Sequence, residues 1–262
     1  MGMGTRLFNK IAVVTGGGGG IGAEICSSFA KEGASVAVAD IDIDAAQKVV
    51  AEINSSGSRA IALSFDVTDI GATEKAADRT EIELGPIDIW VNNAGVSYIV
   101  PFLDCTEELW DNTLRVNLTG TFIGCQEAIG RMRQRKQGVI LNMSSQSGKK
   151  GSSHYAAYCA SKFGIIGLTQ SLAVEFAPSG IRVNALCPGV VMTTLWKDMK
   201  EDYASKRGIK TEEVIPYLEK RIPMGRLCTP GDIAGVAVFL ASDESTYITG
   251  EAVNISGGQV MS

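Results

Sequence analysis

Residues 11–22 of the chain read IAVVTGGGGGIG, and this stretch decides the fold. The short apolar, β-branched run predicts a buried strand, and the glycines after it predict a tight turn. In residues 23–32 the apolar side chains then recur at the spacing of an amphipathic helix. Backbone N–H groups at such a turn, together with the positive end of the helix dipole, attract a phosphate. A flexible linker is the alternative, but linkers are not usually bracketed by a buried strand and an amphipathic helix. The stretch therefore predicts a nucleotide pyrophosphate site.

An acidic residue at the end of the next strand indicates which nucleotide is bound. The apolar run 35–39 ends at Asp40, which follows Gly22 at roughly the 20-residue spacing of a ribose-binding carboxylate. Such a carboxylate accepts hydrogen bonds from ribose hydroxyls and repels a 2′-phosphate. No Lys or Arg occurs between Lys10 and Lys31 or directly after Asp40. The sequence therefore favours NAD over NADP as the coenzyme.

The composition excludes several classes of protein. A net charge of −5 and a pI near 5.1 argue against nucleic acid or an anionic membrane as a partner. Residues 1–10 show no apolar signal segment, and no window of about 18 apolar residues could span a bilayer. The chain has 6 widely spaced Cys and 1 His, so we expect no metal site and a reducing, cytoplasmic location.

Strand-like and helix-like segments alternate along all 262 residues. This alternation predicts one α/β domain over 1–262: a Rossmann-type, doubly wound, about seven-stranded parallel sheet with helices on both faces. The long stretch 193–225 interrupts this alternation of strands and helices. We expect it to be a substrate-covering lid rather than a peripheral helical hairpin. Predicted strands are 11–15, 35–40, 59–65, 87–91, 138–143, 181–186 and 252–255; predicted helices are 20–32, 43–55, 69–84, 106–136 (broken near 115), 155–177 and 230–241.

Polar residues with catalytic potential accompany this pattern. Tyr158 and Lys162 are four apart in a helical segment and so share a face. Ser145 follows the apolar run 139–143, which places a hydroxyl at the ligand-binding edge of the sheet. Asn117 lies within a helical pattern, where Asn is not a preferred residue. These residues form a candidate catalytic group.

With these motifs in order, the chain resembles the short-chain dehydrogenase/reductase family from about residue 8 to the C-terminus. The resemblance rests on the glycine motif, on the segment 92–95 (NNAG), on the catalytic group and on the loop from 188 onward. It implies a tetrad of Asn117, Ser145, Tyr158 and Lys162. The coenzyme contacts that it implies are Gly16, Gly20, Ile21, Gly22, Asp40, Asp66, Val67, Asn93, Ala94, Gly95, Tyr158, Lys162, Pro188, Gly189, Val191 and Thr193.

The resemblance gives each member of the tetrad a role. Tyr158 would be the base for the substrate hydroxyl, although an unperturbed tyrosine has a pKa of about 10. We expect the Lys162 ammonium and the positive nicotinamide ring to lower that pKa, and Lys162 also to bind the nicotinamide ribose. Ser145 would donate to the substrate oxygen. The Asn117 carbonyl would hold a water that links Lys162 to solvent. Asp66 would contact adenine, although it could also cap the helix that begins near Thr68.

Within the family, the segments 142–151, 187–196 and 226–232 resemble polyol and vicinal-diol dehydrogenases, such as those acting on sorbitol, acetoin and butanediol. The resemblance implies an oxidoreductase that interconverts a secondary hydroxyl and a ketone. Predicted substrate contacts are Ser145, Gln146 and Tyr158, with Gln146 bonding a second hydroxyl. We also expect a homotetramer formed through 106–136, 155–177 and the last strand. The sequence leaves open which polyol is used and at which carbon.

Three alternatives remain at this point. A polyol phosphate such as sorbitol 6-phosphate is one, because basic residues cluster near the site; the other reading is a solvated basic face. A 3-oxoacyl-carrier-protein reductase shares the fold and tetrad, although Asp40 and the acidic pI speak against it. A non-catalytic nucleotide sensor is the third, although it would be expected to lack Ser145, Tyr158 or Lys162. The basic residues are Lys149, Lys150, His154, Lys197, Lys200, Lys206, Arg207 and Lys210.

Overall fold

The computed structural model describes residues 5–193, 196 and 199–261. At the centre of the described chain lies a seven-stranded sheet in the order β3-β2-β1-β4-β5-β6-β7. Every neighbouring pair is parallel. This confirms the predicted doubly wound sheet. The strands are β1 Ile11–Thr15, β2 Ser35–Asp40, β3 Ala60–Ser64, β4 Ile89–Asn92, β5 Gly138–Met143, β6 Ile181–Pro188 and β7 Ala252–Ile255.

Helices cover both faces of the sheet because the strand side chains are apolar in both directions. Along β1, Ala12 and Val14 pack into one core with α1, α2 and α9, whereas Ile11 and Val13 pack into the other with α3, α5 and α6. The helices are α1 Gly20–Lys31, α2 Ile43–Ser55, α3 Ile70–Glu83, α4 Glu107–Leu114, α5 Gly120–Met132, α6 Ala156–Phe176, α7 Lys200–Arg207, α8 Val214–Glu219 and α9 Pro230–Ala241. No helix among the described residues is long and apolar enough to cross a bilayer.

The helix predicted over 106–136 is divided by a π-helical turn, Arg115–Thr119, between α4 and α5. A π turn holds one more residue than an α turn, and such turns are frequent at functional sites. The wider turn accommodates Asn117, which is fully buried. The predicted break near 115 therefore corresponds to a widened turn, through which the helix continues from α4 into α5.

Residues between β6 and α9 add a small structure of their own. Helices α7 and α8 pack around a third apolar cluster, separate from the two main cores. Its buried members are Trp196, Tyr203, Ala204, Val214 and Leu218. This cluster places the segment at the carboxyl ends of the strands, above the crevice.

The crevice lies where the strand order reverses. Strand β1 pairs with β2 on one side and with β4 on the other, so the connections after β1 and β4 diverge to opposite faces. Ligands of doubly wound folds bind at this switch point. Here the described residues enclose a cavity of about 880 Å³.

Candidate active site

The cavity brings together most of the residues that the sequence singled out. Of the predicted site residues, Gly22 and Asn117 do not line it, whereas Ser145, Gln146, Tyr158 and Lys162 do. The other predicted residues on its wall are Gly16, Gly20, Ile21, Asp40, Asp66, Val67, Asn93, Ala94, Gly95, Pro188, Gly189, Val191 and Thr193.

The glycine turn after β1 is closely packed from below. A Cβ on Gly22 would lie 2.0 Å from the Gly16 carbonyl oxygen, so only glycine fits there. The amide of Asn93 donates to the carbonyl oxygens of Thr15 and Gly16, at 3.0 Å each. Gly22 therefore supports the turn without facing the cavity. Asn93 is more than a turn former, because it ties β4 to the glycine turn.

The start of α1 fits the diphosphate of a dinucleotide. Gly19 precedes the helix and offers no side-chain cap, and no acidic residue lies in the first turn. The N–H groups at a helix start need partners, and here no side chain supplies them. An anion in the cavity can accept from them. The residues present thus suit a bound nicotinamide dinucleotide.

Asp40 stands at the end of β2 with its carboxylate held in place. One oxygen accepts from the N–H of Gly18 at 2.9 Å and the other from that of Asp42 at 3.1 Å. Asp66 is exposed at the cavity wall, and its carboxylate accepts from the N–H of Thr68 at 2.8 Å. The alternative that Asp66 caps α3 is wrong, because Asp69 caps it.

Tyr158 and Lys162 lie on α6 and face the cavity together. The Lys162 Nζ lies 5.6 Å from the centre of the Tyr158 ring. It also donates to the carbonyl oxygen of Met143 at 2.7 Å, which fixes the ammonium at the end of β5. Lys162 is 4% exposed, and this burial lowers its pKa to about 8.

The protein environment of Tyr158 differs from the expectation. Burial raises the pKa of its phenol, while the hydroxyl of Ser145 acts in the opposite direction. Loss of hydration disfavours the phenolate more than the neighbouring groups favour it. The lowering by Lys162 that the sequence suggested is not produced by the described residues.

Asn117 lies behind the cavity wall. Its side-chain amide pairs with the backbone of Val96 in both directions, at 2.8 and 2.9 Å, and donates to Ser161 Oγ at 3.1 Å. The backbone carbonyl oxygen of Asn117 accepts a hydrogen bond from Thr121 Oγ1 at 2.7 Å. Asn117 thus holds the loop after β4 against α6. The water relay through its carbonyl remains a prediction.

Ser145 and Gln146 follow β5 at the cavity wall. Ser145 is 8% exposed, and its Oγ accepts from the N–H of Ser147 at 3.1 Å. A hydroxyl that accepts this bond keeps its own proton for a ligand oxygen. The Oε1 of Gln146 is buried without a hydrogen-bond partner among the described residues. Both residues are placed to meet a polar ligand.

Sequence reasoning missed several residues of the cavity wall. They come from the loop after β4, from 193–225 and from the C-terminal turn, which are far apart in sequence. Only the lid prediction pointed to part of this set, and nothing in the local pattern marked the rest. The missed residues include Ser97, Trp196, Tyr203, Arg221 and Gln259.

Comparison with known proteins shows what this architecture resembles. The chain is 39% identical to D-threitol dehydrogenase of Mycolicibacterium smegmatis, over 97% of the chain and 94% of the relative. It is 41% identical to galactitol 2-dehydrogenase of Agrobacterium fabrum, over 98% and 100%. The crystal structure of a variant actinorhodin polyketide ketoreductase with NADPH superposes with a TM-score of 0.93 at 34% identity, covering 98% of this chain and 99% of that one.

The match to a family extends over nearly the whole chain. A family model described as "Enoyl-(Acyl carrier protein) reductase" matches residues 16–259. This range runs from the first glycine of the turn to the last cavity residue but one. The chain belongs to the short-chain dehydrogenase/reductase family, an oxidoreductase family that uses a nicotinamide coenzyme.

Proposed function

We propose that the protein is an NAD-dependent dehydrogenase that interconverts a secondary hydroxyl of a small polyol with the corresponding ketone. One observation carries the proposal. Ser145, Tyr158 and Lys162 line the same cavity as the glycine turn and Asp40. Groups for proton transfer therefore share one enclosed space with groups suited to a dinucleotide.

The side chains divide the work of alcohol oxidation. The Tyr158 phenolate takes the proton of the substrate hydroxyl, and the Ser145 hydroxyl donates to the same oxygen and holds it in place. A bound oxidised nicotinamide ring would supply the hydride acceptor for the carbinol carbon and a positive charge that favours the phenolate. The Lys162 ammonium, fixed on Met143, adds to that charge. In ketone reduction Tyr158 returns its proton to the oxygen.

NAD is the coenzyme that the charges favour. The carboxylate of Asp40 is fixed by two backbone N–H groups and so remains where a ribose would lie. A 2′-phosphate would be repelled at this position. The basic residues on the cavity wall are Lys150, Lys162, Arg207 and Arg221, and none is close in sequence to Asp40.

A polyol substrate is supported by two independent observations. Two relatives that match nearly the whole chain are named as threitol and galactitol dehydrogenases. The unpaired Oε1 of Gln146 offers an acceptor next to the catalytic serine. A site with such polar groups rejects apolar alcohols, because its own groups would be left without partners.

A polyol phosphate is the second candidate, and one observation favours it. Lys150, Arg207 and Arg221 line the cavity, and no ion pair among the described residues neutralises them. Of the basic residues that the sequence suggested, Lys206 instead packs over the ring of Tyr155, and Lys197 lies outside the described residues.

A substrate screen tests the proposal. NADH formation is followed by absorbance with D-threitol, galactitol, sorbitol, sorbitol 6-phosphate and 2,3-butanediol, each with NAD and with NADP. We expect turnover of a free polyol with NAD. A strong preference for the phosphate ester would replace the first candidate with the second. Binding of NADH without turnover of any alcohol would favour a nucleotide sensor.

The proposed tetramer has a candidate surface. Apolar side chains are exposed on α5 and α6: Phe122 is 46% exposed, Phe163 48% and Val174 81%. Large apolar side chains left exposed on helices are a common feature of protein–protein interfaces. We expect a second copy of the chain to cover these residues, and light scattering of the purified protein would show the mass of the assembly.

A further inference from the structure

Three side-chain oxygens on the cavity wall are buried without a hydrogen-bond partner among the described residues. They are Ser97 Oγ, Gln146 Oε1 and Gln259 Oε1. They belong to three distant parts of the chain: the loop after β4, the turn after β5 and the C-terminal turn. An unpaired buried polar group destabilises the protein, because it has lost its hydrogen bonds to water and gained none in return. A bound molecule would supply the missing partners to these three groups when their side chains turn into the cavity.

The C-terminal turn is built to present Gln259. Gly257 and Gly258 have φ values of +61° and +87°, which other residues adopt only with strain. A Cβ on Gly257 would lie 2.8 Å from Ile222, and one on Gly258 3.1 Å from Pro223. The turn is therefore pressed against the end of the segment 193–225.

Two further contacts close this turn. The Ser256 hydroxyl accepts from the N–H of Val260 and donates to its carbonyl oxygen, at 3.1 Å each. The N–H of Met224 donates to the carbonyl oxygen of Gly257 at 3.1 Å. Gln259 lies inside this closed loop, so its backbone is held at the cavity wall.

Ser97 is held with similar firmness. It is 5% exposed and follows Val96, whose N–H and carbonyl both pair with the Asn117 side chain. Because the Asn117 side chain holds the backbone of Val96, it also fixes the position of the adjacent Ser97 in the cavity wall. A hydroxyl in this position can both donate and accept.

We propose that Ser97, Gln146 and Gln259 form a subsite for the substrate hydroxyls that do not react. The inference rests on the proposed function and specifies its substrate class: a polyol with further hydroxyls beyond the oxidised carbon and its neighbour, rather than a short diol. A hydroxyl both donates and accepts, so it can pair with either end of a side-chain amide. A monohydric alcohol or 2,3-butanediol would leave Gln259 unpaired.

A binding experiment tests the subsite without catalysis. The enzyme is saturated with NADH, so that an added alcohol cannot be oxidised, and the affinity for galactitol, D-threitol and 2,3-butanediol is measured by calorimetry. We expect Gln259→Met to weaken galactitol binding by about tenfold, as expected when one hydrogen bond is lost and its partner left unpaired. Binding of 2,3-butanediol and of NADH should stay within about twofold. Ser97→Ala should also weaken galactitol selectively.

The control is Gln47→Met, which makes the same change at an exposed position of α2. It should alter no affinity. Equal losses for galactitol and 2,3-butanediol, or no loss with Gln259→Met, would overturn the subsite, as would a wild-type enzyme that binds no polyol. A wild-type enzyme that binds polyols selectively through Gln259 but never oxidises them would overturn the proposed function and leave the subsite standing.

Discussion

The coenzyme side and the substrate side of the cavity are built from different materials. On the coenzyme side the wall is mostly backbone: a glycine turn, an uncapped helix start and a carboxylate held by N–H groups. On the substrate side the wall consists mostly of side chains from the loops after β4 and β5, the segment 193–225 and the C-terminal turn, and several of them are charged or unpaired. A backbone wall tolerates few substitutions, whereas a side-chain wall can change one residue at a time. The first suits a ligand common to a family and the second suits a ligand that varies.

Tyr158 stands at the boundary of the two sides and should show the largest effect. Tyr158→Phe removes the group that takes the proton, so kcat should fall by about 10³-fold or more, within the range of general acid–base catalysis. NADH affinity, measured by fluorescence titration, should remain within about twofold. Turnover close to that of the wild type would contradict the assignment of the base.

The coenzyme preference tests whether Asp40 alone sets the charge on its side. Ile41 lines the cavity and is 73% exposed, so Asp40→Ala with Ile41→Arg replaces repulsion of a 2′-phosphate with attraction. The ratio of kcat/KM for NAD to that for NADP should fall by about 100-fold, the value of one charge-assisted hydrogen bond. Asp40→Asn is the matched control and should shift the ratio less. A wild-type preference for NADP would show that the assignment is wrong.

A pair of glycine substitutions tests how little space the backbone wall leaves. Gly22→Ala would bring a Cβ 2.0 Å from the Gly16 carbonyl oxygen, whereas a Cβ on Gly19 meets nothing within 4 Å. We expect Gly22→Ala to lower the free energy of unfolding by about 1–3 kcal/mol, the usual cost of overpacking. Gly19→Ala should leave it nearly unchanged. If chemical denaturation gave the same free energy of unfolding for both variants, the glycine turn would be able to shift and make room for a Cβ on Gly22.

The smallest expected effect is the contribution of Lys162 to the pH dependence of protein stability. Its pKa is about 8 in the folded protein and about 10.4 in an unfolded chain. Between these values the unfolded chain binds more protons, so this group makes the folded state more stable as pH rises. Relative to Lys162→Met, the wild type should gain on the order of 1 kcal/mol between pH 8 and 10. Denaturation curves of both proteins at each pH would show it, and a constant difference would contradict the shift.

Much of the coenzyme side could be predicted because its signals are local. A strand, a glycine turn and a helix follow one another in sequence, and the acid after β2 comes at a fixed distance. The parallel sheet follows from the alternation of apolar strands and amphipathic helices. Even the interruption near 115 left a trace, since Asn117 is unusual within a helix.

The substrate side gave fewer such signals. Ser97 and Gln259 line one cavity although they lie in loops far apart in sequence, and no periodicity connects them. The burial that raises the pKa of Tyr158 in the protein alone was also missed. Four-residue spacing shows that Lys162 shares its face, but it does not show that both groups lose their hydration. Burial of that kind emerges only when distant elements pack together.

The π turn at Arg115–Thr119 has a consequence for tolerance to deletion. Removing one residue from it would convert the widened turn into an ordinary α-helical turn and give the residues within it new angular positions. Asn117 would then turn away from Val96, and the loop that carries Ser97 would lose its anchor. The shortening would leave the glycine turn and Asp40 in place. Deletion of one residue at this position would therefore impair substrate selection while coenzyme binding is kept.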